Sequence, residues 1–346
     1  MHRTTIRYYL STIFLIAVLM ITVTAAAQEA ATDHRIGRFD TTKDLLLLNY
    51  DFKPDEDDIH AVAAMSCMLE HPDFKDQFNY YAVSGAYATQ KKGGYIHTVT
   101  PEFFNLAFGK GTWTDAHDDW EASVLVVKDK MQATLESGGT VFVADSGPSD
   151  FTYDVVQALL GTGLSPEVVK EQVWVIQHHD WNEKNTRPER LAWLKQNTRY
   201  IRINEGNSSG PGSRGEGTPA LQSNDRKWIR AATTASNPNT RARQLWRQAY
   251  QLSHDWIARS PASWHNKAIK IMHDTPDVQS DPSFPIMVGS YKRKGIRYYT
   301  CDGLAFPDLV IVWWIFEMDY VPVDTSNNSI RAFWERFVVN TPESNK

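Results

Sequence analysis

The chain has 346 residues, 42% of them hydrophobic, which is enough for one large α/β domain or two smaller ones. Its net charge of −5 and pI near 6.1 give no indication of a nucleic-acid-binding protein. Cys67 and Cys301 are the only cysteines, and no cysteine–histidine spacing indicates a zinc site. An export route would allow the two to bond, whereas the apolar surroundings of Cys67 favour a buried free thiol.

Residues 1–27 have the pattern of a secretory signal peptide. Arg3 and Arg7 form a charged start, an apolar core follows, and consecutive alanines provide a small-residue cleavage site. The alternative is an uncleaved anchor, since the apolar run could reach membrane-spanning length. We predict a cleaved signal, a secreted or periplasmic protein without stable membrane association after cleavage, and a flexible polar lead-in over residues 28–43.

The stretch from Leu45 to Cys67 predicts a strand, an acidic loop and a helix. Its four consecutive leucines are typical of a strand buried on both faces, as in a parallel sheet. Apolar residues at helical spacing follow from Asp57 onward. Between the two elements, five acidic residues fall within eight positions: Asp51, Asp55, Glu56, Asp57 and Asp58.

This density of carboxylates needs an explanation beyond helix capping, which accounts for one or two of them. A hard divalent cation would relieve the repulsion, because Ca²⁺ takes six to eight oxygen ligands, largely from carboxylates. The carboxyl ends of parallel strands are also where open α/β sheets bind ligands. The alternative is a solvated acidic loop. The pattern is not an EF-hand, because the glycine and the distal glutamate of that motif are missing.

Further strands are predicted downstream, and the first of them completes a strand–helix–strand unit. We therefore expect an α/β fold, with a mostly parallel sheet flanked by helices, in a single domain over residues 44–340. The predicted strands cover residues 79–84, 140–145, 173–177, 200–203 and, as a short apolar piece, 285–288. The predicted helices cover residues 101–137, 225–275 and 309–316.

Polar residues follow several of these strands and predict the rim of a pocket. They include the turn at residues 146–151, the stretch from His178 to Glu183 with Asn182, and Glu205 with Asn207. The acidic turn at residues 115–119 has two interpretations, a second metal site or a helix N-terminus, and we favour the second.

The sequence from Asp51 to Asp58 resembles the N-terminal Asp motif of the nucleoside hydrolase superfamily, Asp-Pro-Gly-any-Asp-Asp. It is two residues longer, and is closer to the Asp-Pro-Gly-Gly-Asp-Pro-Asp-Asp form of secreted nucleoside hydrolase-like proteins. Other motifs follow in the family's order over most of residues 44–316. The turn at 147–151 is similar to Gly-Pro-Leu-Thr-Asn, Glu205 and Asn207 match a Glu-any-Asn pair, and Cys301-Asp302 stands where the family has His-Asp.

The resemblance implies a nucleoside hydrolase-like (Rossmann-like) fold and Ca²⁺-dependent hydrolysis of N-glycosidic bonds, with a nucleoside or a related sugar compound as substrate. The implied Ca²⁺ ligands are Asp51, Asp58, Asp302 and the backbone carbonyl of Asp150. Asp51 would also activate the attacking water. The implied substrate-binding residues are Asp57, Glu205, Asn207 and, as a further candidate, Asn182. An oligomer is possible.

Two departures from the family leave other functions open. Ala86 stands where the family has an asparagine that touches the sugar, and Cys301 stands where it has a histidine that assists the leaving base. A non-catalytic carbohydrate-binding protein is therefore the alternative, and the 12 tryptophans would suit sugar stacking. A third possibility is an exported structural protein with a calcium site for stability.

Overall fold

The computed structural model describes residues 34–53, 57–77, 79–87, 101–204, 206, 218–223, 226–234, 237–259, 289–293, 296–300, 304–318 and 328–339. The chain divides into two compact units, residues 1–35 and 36–346. Of the first unit only His34 and Arg35 are described, so the predicted signal peptide lies outside the described residues. No helix among the described residues is long and apolar enough to cross a membrane.

The described residues form twelve strands, many of them short. In chain order they are β1 (Arg35–Ile36), β2 (Phe39–Asp40), β3 (Leu45–Tyr50), β4 (Asn79–Ser84), β5 (Trp113–Asp115), β6 (Val141–Asp145), β7 (Val173–His178), β8 (Arg199–Ile203), β9 (Gln222–Ser223), β10 (Gly289–Arg293), β11 (Ile296–Thr300) and β12 (Leu304–Ala305).

Helices occupy most of the remaining described chain. They are α1 (Asp57–Leu69), α2 (Glu102–Phe108), α3 (Trp120–Glu136), α4 (Asp150–Leu160), α5 (Pro166–Gln172), α6 (Asp180–Asn185), α7 (Pro188–Asn197), α8 (Arg226–Thr233), α9 (Thr240–Arg259), α10 (Val310–Ile315) and α11 (Asn328–Phe333). A 3₁₀ turn (Pro307–Leu309) precedes α10, and a π-helical turn (Trp334–Val339) follows α11.

A six-stranded parallel sheet in the order β5-β4-β3-β6-β7-β8 forms the centre of the fold. Its first strand in the chain, β3, pairs with β4 on one side and β6 on the other. Numbered along the chain, the order is therefore 3-2-1-4-5-6, that of a doubly wound sheet. The order reverses between β3 and β6, and open α/β sheets bind ligands in the crevice at such a point.

The prediction that β3 is buried on both faces is confirmed, since all six of its residues are buried. Leu46 and Leu48 pack in one core with helices α1, α2 and α8 to α11. Leu45 and Leu47 pack in a second core with α3, α4, α5 and α7. The continuous leucine run is therefore what a strand between two helical layers requires.

The predicted strands at 79–84, 140–145, 173–177 and 200–203 are confirmed as β4, β6, β7 and β8. The single helical region predicted over residues 101–137 is wrong in one respect, because the edge strand β5 divides it into α2 and α3. Three residues are too short to show the alternation that identifies a strand. The predicted region over 225–275 is likewise divided into α8 and α9. The apolar piece at 285–288 lies outside the described residues.

Residues ahead of residue 44 also pack against the core of the fold. Phe39 in β2 is fully buried in the first core, and the backbone N–H of Arg38 donates to the carbonyl of Ile315 at 2.9 Å. These contacts hold residues 38–40 to the domain, although the sequence there reads as polar. Cys67 is buried without a disulfide, as its position in α1 predicts, and burial raises the pKa of its thiol to about 12.

Candidate active site

The loop after β3 folds back on the start of α1. Phe52 has a φ of +52°, a left-handed conformation that residues other than glycine rarely adopt. In this conformation its backbone N–H donates to Oδ2 of Asp58 at 2.5 Å. Such backbone strain is found preferentially at functional sites. The strand end, which carries Asp51, is thereby tied to the helix start, which carries Asp58.

Three buried carboxylates interact at the carboxyl edge of the sheet, since the charges of Asp51 and Asp308 (3% and 5% exposed) both act on Asp58 (1% exposed). Burial raises the pKa of Asp58 well above its usual value, and the negative charges of Asp308, Asp51 and Asp57 raise it further. Oδ1 of Asp58 and Oδ2 of Asp308 are buried and accept no hydrogen bond from the described residues. The cluster therefore combines repelling charges with unsatisfied acceptors, and proton or cation binding would relieve both.

The turn after β6 presses against this cluster. A Cβ atom at Gly147 would lie 2.3 Å from Cβ of Asp51 and 2.5 Å from its Oδ2, so only glycine fits there. The carbonyl of Gly147 accepts a hydrogen bond from Nε2 of Gln177 at 2.7 Å. Because Gln177 belongs to β7, the turn is held from the neighbouring strand, and Asp51 has little room to move.

His178, the last residue of β7, contacts the third carboxylate. Its Nε2 lies 2.6 Å from Oδ1 of Asp308, and both side chains are buried. The next residue, His179, has a φ of +73°, and its Nδ1 accepts from the backbone N–H of Trp181 at 2.8 Å. Phe52 after β3 and His179 after β7 therefore both have a left-handed backbone conformation. Each adjoins a residue that belongs to the acid cluster or contacts it.

A polar network lies beneath the loops on the second-core face of the sheet. Oδ1 of Asp145 accepts from Nδ2 of Asn49 at 2.9 Å and from Oγ1 of Thr152 at 2.6 Å. Burial raises the pKa of Asp145 to about 6. Asn49 and Asp145 are paired in register on β3 and β6, so this network joins the two strands at the point where the strand order reverses.

Asn182, a predicted substrate-binding residue, forms hydrogen bonds within the protein. Asn182 is buried, and its Nδ2 donates to the carbonyls of Ser146 and His178 and to Oε1 of Gln177, at 2.9 to 3.1 Å. It therefore ties the ends of β6 and β7 together. Its predicted contact with substrate stays a prediction.

Asp150 is engaged by arginines. Its carboxylate accepts from the backbone N–H of Arg187 at 3.1 Å, and its carbonyl accepts from Nη1 of Arg190 at 3.2 Å. The predicted role of that carbonyl as a Ca²⁺ ligand stays a prediction. Asp57 begins α1, half-buried, and its negative charge acts on Asp58. Glu205, Asn207 and Asp302 lie outside the described residues.

The acidic turn at residues 115–119 is a helix N-terminus, as the sequence favours. Asp119 is the N-cap of α3, and its Oδ1 accepts from the backbone N–H of Ala122 at 2.9 Å. Oδ1 of Asp115 accepts from the backbone N–H of His117 at 2.9 Å. Local backbone donors therefore account for these acids, as they do at many helix starts.

The acid cluster suits a hard cation in its donor chemistry, since it offers carboxylate oxygens of which two accept no hydrogen bond from any described residue. Within the part of the chain that the structure describes, no group of three or more His, Cys, Asp or Glu side chains is arranged to hold a metal ion. A complete shell therefore requires further ligands or a closer approach of the three carboxylates. Asp51, Asp58 and Asp308 are the residues that would hold such an ion.

The sequence identified Asp51 and Asp58 but missed Asp308, His178 and Gly147. Asp308 lies in the 3₁₀ turn that precedes the apolar helix α10, whereas the resemblance implies Asp302 as the late aspartate ligand instead. His178 lies at the end of a predicted strand, in a polar stretch that predicted the rim of a pocket but did not identify His178 as a site residue. Nothing in the sequence around Gly147 indicates the close approach of Asp51.

The fold and this cluster define an α/β protein with a doubly wound parallel sheet and an acidic site where its strand order reverses. Comparisons with protein-family models, with curated proteins and with solved structures found no significant match.

Proposed function

We propose that the protein is a hydrolase of N-glycosidic bonds on a nucleoside hydrolase-like fold, dependent on Ca²⁺ and acting on a nucleoside or a related glycoside. The observation that carries the proposal is that three buried carboxylates influence one another at the carboxyl edge of the sheet, since the charges of Asp51 and Asp308 both act on Asp58. Buried carboxylate oxygens that accept no hydrogen bond from the described residues, here Oδ1 of Asp58 and Oδ2 of Asp308, are costly to the folded state, and active sites are where such groups are retained.

In this reaction Asp51 has a task that Asp58 and Asp308 do not share. Asp51, Asp58 and Asp308 would hold Ca²⁺, which would polarise a water and lower its pKa only modestly. Asp51 takes the proton of the water, which then attacks C1 of the sugar while the bond from C1 to the base nitrogen breaks. The electron pair of that bond leaves with the base, which takes up a proton from solvent, and Asp51 afterwards returns its proton to solvent. The anionic carboxylates stabilise the positive charge that develops on the sugar.

His178 has a positioning role in this proposal. Its contact with Oδ1 of Asp308 fixes the carboxylate and leaves Oδ2 available to the ion. A partner of this kind orients a ligand in many metal sites. His178→Gln should therefore weaken calcium binding more than it changes the rate at saturating calcium.

The proposal is tested by assaying purified protein against purine and pyrimidine nucleosides and aryl glycosides, with calcium and with a chelator. Wild type should release the base or aglycone only with calcium. Asp51→Asn should lower the rate by about 10²-fold or more, because it removes the base that takes the proton. Asp118→Asn, at an exposed acid in the turn before α3, is the matched control and should retain full activity. Absence of hydrolysis by wild type, under calcium, for the whole panel would contradict the proposal.

We further infer export from the cell, on the basis of the charged, apolar and small-residue pattern of residues 1–27. Expression of the full chain should yield a mature protein in the secreted or periplasmic fraction that begins near residue 28. N-terminal sequencing of that fraction checks this, and recovery of uncleaved protein in the membrane fraction would favour the anchor instead.

A further inference from the structure

A polar cavity lies outside the acid cluster. Its volume is about 330 Å³, within the range of small-molecule sites, and none of the three clustered carboxylates lines it. Its walls come from the N-terminal parts of α3, α4 and α7 and from the end of β4. The lining residues are Tyr87, Trp120, Asp150, Asp154, Arg187 and Arg190.

The two arginines of the cavity differ in how much of their hydrogen-bonding capacity the protein uses. Arg190 is engaged, because its Nη1 lies 2.8 Å from Oδ1 of Asp154 and donates to the carbonyl of Asp150. Arg187 is 42% exposed, and the only contact of its guanidinium with a described residue is from Nε, 3.5 Å from Oδ1 of Asp150. Its two terminal nitrogens therefore remain available to a ligand.

Asp150 supplies the complementary acceptor. Its side chain is only 2% exposed, yet its Oδ1 accepts no hydrogen bond from the described residues. The nearest cationic atoms, Nε of Arg187 and Nε of Arg190, lie at 3.5 and 3.6 Å. A buried carboxylate oxygen without a donor is rare in folded proteins, and a ligand hydroxyl would satisfy it.

The aromatic residues of the cavity add an apolar surface. Trp120 is held by a hydrogen bond from its Nε1 to Oδ2 of Asp154 at 3.0 Å and by an edge contact with Phe151. Tyr87 is held through its hydroxyl, 2.5 Å from Nδ1 of His117. The two rings are thus fixed beside the charged groups, an arrangement that suits a ligand with one apolar face and a polar edge.

The charges of the cavity balance, with two arginines against two aspartates, and this selects the class of ligand. An anion would face Asp150 and Asp154, and a cation would face Arg187. A hydroxyl group can donate to Oδ1 of Asp150 and accept from Arg187 at the same time. We propose that this cavity binds a neutral sugar ring through adjacent hydroxyl groups. The proposal does not rest on the hydrolase activity, since Asp51, Asp58 and Asp308 do not line the cavity and it uses the carboxylate of Asp150 rather than the backbone carbonyl predicted as a Ca²⁺ ligand.

Titration calorimetry of the whole protein with D-ribose, D-glucose and D-galactose tests the proposal. At least one of the three sugars should bind wild type. Arg187→Met should weaken that binding about tenfold, the loss expected for one charge-assisted hydrogen bond. Arg336→Met is the matched control, because Arg336 is 47% exposed and pairs with a single carboxylate, Asp73, outside the cavity. It should leave the affinity unchanged.

A second variant, Arg187→Lys, retains the charge but not the planar fork, and should also weaken binding several-fold. If Asp51→Asn abolishes the binding while both Arg187 variants retain it, the sugar binds at the acid cluster and the proposal is overturned. The proposal is overturned if none of the three sugars binds at millimolar concentration, or if both Arg187 variants bind as tightly as wild type. Binding of inorganic phosphate alone, lost in Arg187→Met, would assign the cavity to an anion and overturn it as well.

Discussion

Asp145 shows at the scale of one residue how the site affects stability. Its carboxyl is fully buried, and burial raises its pKa to about 6 from a model-peptide value of 3.8. A raised pKa in the folded state means that the folded protein prefers the protonated acid. The associated stabilisation is therefore present below the ordinary pKa and is lost as the pH rises through about 6.

This sign gives a prediction for Asp145→Asn, which removes the titration and retains an acceptor for Asn49 and Thr152. Between pH 4 and pH 8 wild type should lose as much as ~3 kcal/mol of unfolding free energy relative to the variant. Urea unfolding of both proteins across this range checks the prediction. If the free energies of unfolding of the two proteins differ by a constant amount over the whole pH range, Asp145 does not titrate in this way.

Which site residues could be predicted depends on how far apart they lie in the chain. Asp51 and Asp58 could be found because one short loop carries both, and their density is itself the signal. Asp308 joins them through contacts between elements that are distant in sequence, so its role depends on packing that no local pattern contains. Gly147 is a similar case, since its requirement comes from the position of Asp51.

At the scale of one element, α3 tests the interpretation of the acidic turn that precedes it. Asp119→Ala removes the side-chain cap on the N–H of Ala122 and should lower the free energy of unfolding by about 1 kcal/mol. Asp118→Ala changes an exposed neighbour that does not cap the helix, and should stay within about 0.5 kcal/mol of wild type. Denaturant unfolding of the two variants checks this, and equal losses would argue against the capping role.

Elements with strong local patterns were predictable, and those that depend on neighbours were not. The leucine run of β3 and the apolar strands β6 and β7 identify themselves by composition. β5 could not be found, because three residues form a strand only where β4 offers an open edge. The burial of Phe39 could not be predicted for the same reason, since it depends on contacts with distant residues such as Phe142 and Phe316.

For the molecule as a whole, the proposed ion should couple to global stability. A ligand at 100 times its dissociation constant stabilises the folded state by about 2.7 kcal/mol. Calcium should therefore raise the melting temperature of wild type above its value in chelator, and Asp58→Asn should remove that difference. Differential scanning calorimetry with both proteins checks this. Equal melting temperatures for wild type in the two buffers would contradict calcium binding, and a shift without hydrolysis would favour a purely structural ion.

The central position of β3 also affects how the chain is made. This strand is synthesised before both of its neighbours, and its second neighbour, β6, is complete only at Asp145. Until then the four leucines lack one of their two pairing strands and the parts of both helical layers that follow residue 145, and segments of this kind aggregate readily when exposed. A nascent chain would therefore depend on chaperone protection over this interval. A polar substitution in the leucine run would reduce aggregation, but it would also disrupt the packing of β3 against both cores of the folded protein.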